Sequence, residues 1–172
     1  MFKRIIEINW SGPYTCRHVI NKMKDGGSKK NKWSGEDYGL YQIYGRHILA
    51  GKNALLYVGQ AVQQTFSARF KQHEKDWMRY ERGCKIHLGK VKADPKKDRG
   101  SRQWKKDVDI AEAILVYKYT PNYNSSLKQD EPDLKKYSYS CVRLIHKGKK
   151  KRLKPKDHAP EDYGYKKKDD RP

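Results

Sequence analysis

Residues 38–73 read YGLYQIYGRHILAGKNALLYVGQAVQQTFSARFKQH, and the punctuation of this stretch decides the fold. Two short apolar runs, residues 39–44 and 54–59, each set a tyrosine beside a glycine. Gly45, Gly51 and Asn53 lie between them and supply turn chemistry. That pattern predicts adjacent strands of one antiparallel sheet. A helix-like segment follows and places Arg69 and His73 one turn apart, on one face. Tyrosine, arginine and histidine are thereby gathered at the end of a small sheet.

Composition narrows the partner. A chain of 172 residues is long enough for one domain with a core, plus appendages. Only 35% of the residues are hydrophobic, so a small core and a large charged surface are expected. Lys and Arg number 40 against 20 Asp and Glu, a formal charge of +20 that favours a polyanion. Nucleic acid is the first choice, an anionic membrane surface the second. The 4 Trp and 13 Tyr argue against a disordered basic chain. Cys16, Cys84 and Cys141 are odd in number and widely spaced, which indicates neither a zinc finger nor a disulfide framework. Reduced thiols in a cytosol fit best. The opening MFKRIIEINW is too short and polar for a signal peptide, and no later run approaches a membrane-spanning length. A soluble, cytoplasmic protein is the expectation.

Three segments follow along the chain: residues 1–37 as an N-terminal extension, 38–126 as the core, and 127–172 as a C-terminal arm and basic tail. Residues 3–10 are β-prone, and residues 14–24 carry Tyr14, Val19, Ile20 and Met23 at roughly helical spacing. Residues 25–32 read as a basic loop. Phe66, Phe70 and Trp77 form a candidate core stripe over residues 66–80, with Arg69 and His73 beside it. Residues 84–93 alternate as a third strand. A helix is predicted from about Ser101 to Tyr119, ended by Pro121. Asp107 and Asp109 read as solvated or lysine-paired. Residues 137–145 alternate again, as a late strand or extended arm. From Lys147 the run KGKKKRLKPK is basic and is expected to stay disordered until it meets an anion.

The triplets Gly39-Leu40-Tyr41 and Tyr57-Val58-Gly59, followed by Arg69, Glu112 and Pro121-x-x-Asn124, form an ordered series. In that series the chain resembles the GIY-YIG nuclease family over roughly residues 38–126. Each triplet departs from the family signature by one conservative aliphatic change. A histidine at position 73 is similar to the subset that includes restriction endonucleases. The fold so implied is α/β, a small central antiparallel sheet of about three strands flanked by helices, with N- and C-terminal additions.

Glu112 lies among Ala111, Ala113, Ile114, Leu115 and Val116, where a lone carboxylate is costly without a counter-charge. By spacing alone it reads more often as an exposed glutamate paired with a lysine. The resemblance makes it the ligand of Mg²⁺, with Mn²⁺ as a substitute, and Mg²⁺ takes one or two carboxylates and fills its shell with water and phosphate oxygens. The planar fork of Arg69 suits a phosphate gaining charge, and the resemblance implies a catalytic role. Tyr41 and Tyr57 read as core aromatics by pattern, whereas the resemblance turns both toward the scissile phosphate. Tyr41 would then orient or deprotonate the attacking water, and as a base it needs a perturbed environment, since a free phenol has a pKa of about 10. His73 can bond a water or leaving group, or simply contact phosphate. Asn124 would hold the loop around the site through its amide, with Asn122 the alternative. Lys71, Arg79, Arg82, Lys96, Lys97, Arg99, Arg102, Lys149, Lys150, Lys151 and Arg152 are candidate backbone-phosphate contacts, which give affinity and register but little sequence information.

The expected activity is Mg²⁺-dependent hydrolysis of phosphodiesters in double-stranded DNA. A restriction-type enzyme is favoured, with specificity in the loops at residues 22–32 and 94–102. A break at a palindrome would call for a two-fold homodimer. The alternatives are a repair, recombination or mobile-element nuclease that reads DNA shape, and a basic DNA-binding protein without catalysis.

Overall fold

The computed structural model describes residues 2–22, 38–92, 102–128 and 130–160. One six-stranded sheet runs through them, flanked by three α-helices. The strands are β1 (Phe2–Tyr14), β2 (Gly39–His47), β3 (Gly51–Ala61), β4 (Lys85–Val91), β5 (Tyr139–Gly148) and β6 (Lys156–Ala159). The helices are α1 (Cys16–Lys22), α2 (Phe66–Lys75) and α3 (Arg102–Tyr119). Sheet order is β3-β2-β4-β1-β5-β6, and every neighbouring pair is antiparallel except β1 with β5.

β2 lies between β3 and β4 and is covered on both faces, so its first six residues are all buried. This explains why the sequence there is nearly continuously apolar rather than alternating. Tyr41 and Ile43 face a cluster completed by Val19 of α1 and by Phe66 and Phe70 of α2. Leu40 and Tyr44 face the opposite cluster, which holds Ile8, Trp10, Val108, Ala111 and Leu115. Helix α3 therefore closes one face of the sheet, and α1 with α2 the other.

The α/β class agrees with the sequence, but the strand number does not: the three strands expected, β2, β3 and β4, are half of the sheet. β1 continues from β4 through pairs such as Ile8 with Val91, and then meets β5 in parallel, Ile6 beside Leu144. That pairing joins segments more than a hundred residues apart, which no turn signal can announce. One sheet thus draws strands from all three segments of the chain.

The basic tail needs correction. Residues 147–160 are folded: Leu153, Asp157 and Ala159 are buried, and β6 pairs with β5. The cause is a buried polar chain that the lysine-rich composition conceals. The Trp10 indole N–H donates to His146 Nδ1 at 3.0 Å, so the other ring nitrogen donates to Asp157 Oδ2 at 3.0 Å. The Tyr119 hydroxyl donates to the same carboxylate at 2.9 Å. Asp107 is treated likewise. Expected in solvent or on a lysine, it is buried and bonded to Arg4 and the Tyr139 hydroxyl. Helix α2 stops at Lys75, and a separate 3₁₀ turn, Trp77–Tyr80, carries Trp77. The basic loops at residues 25–32 and 94–100, with Lys96, Lys97, Arg99 and Ser101, lie outside the described residues. Among the described residues no helix is long and apolar enough to cross a membrane.

Candidate active site

Two glycines let the sheet bring its tyrosines together. Gly39 has φ +150°, and a Cβ there would stand 2.3 Å from the Gly89 carbonyl oxygen of β4. A Cβ on Gly59 would stand 2.5 Å from the Tyr41 hydroxyl and 2.6 Å from the Tyr57 ring. Only a residue without a side chain fits there. Tyr41 and Gly59 are directly paired across β2 and β3. The two tyrosine rings stack with centroids 6.0 Å apart.

Helix α2 delivers the next two groups. Thr65 caps it by accepting the Ala68 N–H at 3.2 Å. Phe66, Phe70 and His73 share its buried face, and Arg69 borders that face half-buried. The guanidinium Nε donates to the Tyr41 hydroxyl at 3.1 Å. A second nitrogen of Arg69 donates to Gln72, whose amide is locked to Gln64 by paired bonds of 3.0 Å. Tyr57 also acts on the Arg69 guanidinium, favouring its charged form. On its other side the Tyr41 hydroxyl lies 2.8 Å from His73 Nε2. Burial, followed by the positive charge of Arg69, pushes the His73 pKa down to about 4. His73 is therefore neutral at pH 7; Tyr41 accepts from Arg69, and in the tautomer with its proton on Nδ1, His73 accepts from Tyr41. Burial drives the Tyr41 phenol well above its ordinary value, against the pull of Arg69. Tyr41 is thereby held as the neutral phenol at neutral pH, and His73 is the neighbour placed to take its proton.

α3 brings Glu112 to the same place. Gln60, the residue after the second triplet, favours the charged form of Glu112 from both backbone and side chain. Its charge acts on both Arg69 and Tyr41. Burial, and then the charge of Asp109 one turn earlier, push the Glu112 pKa up to about 7. An open cleft of about 350 Å³ borders the cluster on the Arg69 side, lined by Gln60, Val62, Gln63, Gln64, Arg69, Lys105 and Asp109; Glu112, Tyr41, Tyr57 and His73 are not among its lining residues.

The donor chemistry suits a hard cation. Glu112 is one carboxylate, Asp109 one turn earlier lines the cleft, and Gln60 Oε1 is buried with no hydrogen-bond partner among the described residues. An all-oxygen set with open positions fits Mg²⁺, which keeps much of its water. Among the described residues no three His, Cys, Asp or Glu side chains come together.

Asn124 stands outside this cluster and frames it. Its amide exchanges two bonds with Val58, accepting from the backbone N–H at 3.0 Å and donating to the carbonyl at 2.8 Å. Asn122, the alternative, bonds Leu55 further along β3. The loop after Pro121 thus borders the free edge of β3.

The candidate phosphate contacts are scattered. Arg79, Arg82, Arg102, Lys149, Lys151 and Arg152 are exposed, and Lys71 is half-buried on α2. Lys150 is occupied, its ammonium donating to the Leu153 carbonyl at 2.8 Å. Arg99 lies outside the described residues. Gln60, Gln64, Gln72 and Asp109 were missed by sequence reasoning. Adjacency to the second triplet was the only signal for Gln60, and the 109–112 spacing the only one for Asp109. Comparison with known proteins found no matching family model, no matching curated protein and no matching solved structure.

Proposed function

We propose that this protein is a Mg²⁺-dependent DNA endonuclease of the GIY-YIG class, a restriction-type enzyme that hydrolyses phosphodiester bonds in duplex DNA. In this reading β2, β3 and β4 are the nuclease sheet of that class, and the remaining strands are additions. One observation carries it: the Tyr41 hydroxyl is shared between Arg69 and His73, beside the half-buried carboxylate of Glu112.

Glu112, with the oxygen of Gln60 and the carboxylate of Asp109, would hold the cation. A bound Mg²⁺ supplies charge against the oxyanion that builds on phosphorus and acidifies water. The chain's own groups do the rest. The attacking water would donate to the Tyr41 oxygen as it meets phosphorus in line, which requires the substrate to open the packing that buries Tyr41 here. Tyr41 returns the balance by releasing its proton to the neutral His73 ring. Arg69 faces the equatorial oxygens with a charge that never titrates, and the Tyr41 hydroxyl and Gln72 fix its orientation. Asn124 keeps the strand bearing Tyr57 and Gln60 in register with the loop beyond α3.

A nuclease that recognises DNA shape is the second reading, supported by the same site. Incubating the protein with mixed plasmid DNA and Mg²⁺ and mapping the ends separates them. Ends at one short duplex sequence support the restriction reading, and cutting confined to branched substrates supports the second. Binding without metal-dependent scission would contradict both and leave a basic DNA-binding protein.

A further inference from the structure

The turn joining β2 to β3 is the most exposed apolar feature among the described residues. Ile48 is 93% exposed and Leu49 is 89% exposed. The turn is nonetheless held: His47 Nδ1 accepts the backbone N–H groups of Leu49 at 3.3 Å and Ala50 at 3.2 Å. The His47 ring rests edge-on against Tyr123 at 5.8 Å. The two aliphatic side chains are thus presented outward.

A ridge of rings connects this tip to the site. Tyr41 stacks on Tyr57 at 6.0 Å, Tyr57 meets Trp77 at 6.1 Å, Trp77 meets Tyr123 at 5.1 Å, and Tyr123 meets His47. Site and tip are therefore joined by packed rings, of which Tyr41 is fully buried and Tyr57, Trp77 and His47 are half-buried. No Asp or Glu occurs from Tyr38 to His73, and exposed Arg46 and Lys52 flank the tip. Seven residues of strand separate Tyr41 from Ile48, roughly 23 Å at about 3.3 Å per residue. That is about seven base pairs at ~3.4 Å each.

We propose that the β2–β3 turn is an apolar wedge for duplex DNA. It inserts Ile48 and Leu49 between base steps about seven base pairs from the scissile phosphate. The inference rests on the nuclease reading above and names how the same enzyme grips its substrate away from the cut. Arg46 and Lys52 meet the phosphates on either side of the opened step, and the Trp77–Tyr123 ridge follows the groove between wedge and site. A second copy of the chain is the poorer occupant. Two aliphatic side chains supply a small part of the roughly 1,000 Å² that a specific interface buries. A two-fold contact at the tip would also set Arg46 and Lys52 against their own copies.

The test uses the full chain with Ile48→Ser and Leu49→Ser combined, and Ca²⁺ in place of Mg²⁺ so that DNA stays intact. Both side chains are almost wholly exposed, so an unchanged melting curve confirms the fold. Affinity for a labelled duplex should fall about tenfold or more, since two aliphatic side chains no longer bury themselves between bases. The salt slope should not change, because every cation that meets a phosphate is kept. With 2-aminopurine placed about seven base pairs from the mapped cut, the parent should raise its emission and the variant should not. A parent that cuts DNA but shows no emission change, or a variant that binds as tightly as the parent, overturns the wedge and leaves the nuclease standing. So does a variant that loses self-association or vesicle binding but keeps DNA affinity. A parent that binds no duplex overturns both.

Discussion

Glu112 is where function and stability pull apart. Its folded pKa, about 7, lies above the ordinary 4.5 because burial and Asp109 outweigh the help of Gln60 and Arg69. Between those two values the folded protein holds more protons than the unfolded chain, so its contribution to stability falls as pH rises through that window. Glu112→Gln removes the charge and keeps the shape. We expect this variant to be more stable than the parent at pH 8 by on the order of 1–2 kcal/mol, read by urea denaturation, while metal-dependent cutting is lost. His73 has the opposite sign. Its pKa, about 4, lies below the usual 6.5, so the stability present above 6.5 is lost as pH falls toward 4. Replacing His73 by Gln should flatten that acid limb, and an unchanged limb would contradict its burial as a neutral ring. For catalysis, kcat/KM should rise with pH through about 7 as Glu112 ionises, with the midpoint moving lower as Mg²⁺ is raised, because cation and proton compete. A profile flat from pH 6 to 8 would contradict Glu112 as the metal carboxylate.

Strands β2 and β3 and helices α2 and α3 were legible in outline because their signals are local. Gly39 and Gly59 punctuate the strands, Thr65 opens α2, and Pro121 follows α3. The parallel pairing of β1 with β5 was not legible, since Ile6 and Leu144 find each other only through a core they share with α3. Nor was Gln60, whose value lies in one amide oxygen left without a partner among the described residues. Gly59 shows how tightly β2 and β3 are joined. Gly59→Ala would press a methyl group against the Tyr41 hydroxyl and the Tyr57 ring, and should destabilise the fold by about 1–3 kcal/mol while lowering cutting. A variant that melts and cuts like the parent would show that the two rings do not need their present spacing.

Among the described residues, the basic run at 147–156 is built into the folded sheet rather than hanging as a loose tail. The reading of residues 147–156 as disordered failed because composition outweighed two buried residues, Leu153 and Asp157. Truncation after His146 would therefore strip the core and leave no folded protein with which to weigh DNA binding. Leu153→Ala should cost about 2–5 kcal/mol in denaturation experiments. Neutralising the exposed Lys149, Lys151 and Arg152 to Gln should change stability little. It should flatten the salt dependence of DNA binding by up to about 0.9 for each phosphate no longer neutralised. An unchanged slope would remove this surface from the DNA path.

Catalysis as proposed requires Tyr41, Arg69, His73 and Glu112 to act together on one phosphorus. Cleavage of supercoiled plasmid in Mg²⁺ by the parent and by Tyr41→Phe, Arg69→Ala and Glu112→Gln, with duplex affinity measured in Ca²⁺, addresses this directly. The parent should cut, and each variant should cut about a hundredfold or more slowly while binding nearly as well, since each removes a group that acts in the transition state. Variants that cut at the parent's rate, or a parent that binds DNA and never cuts it, would contradict the nuclease reading.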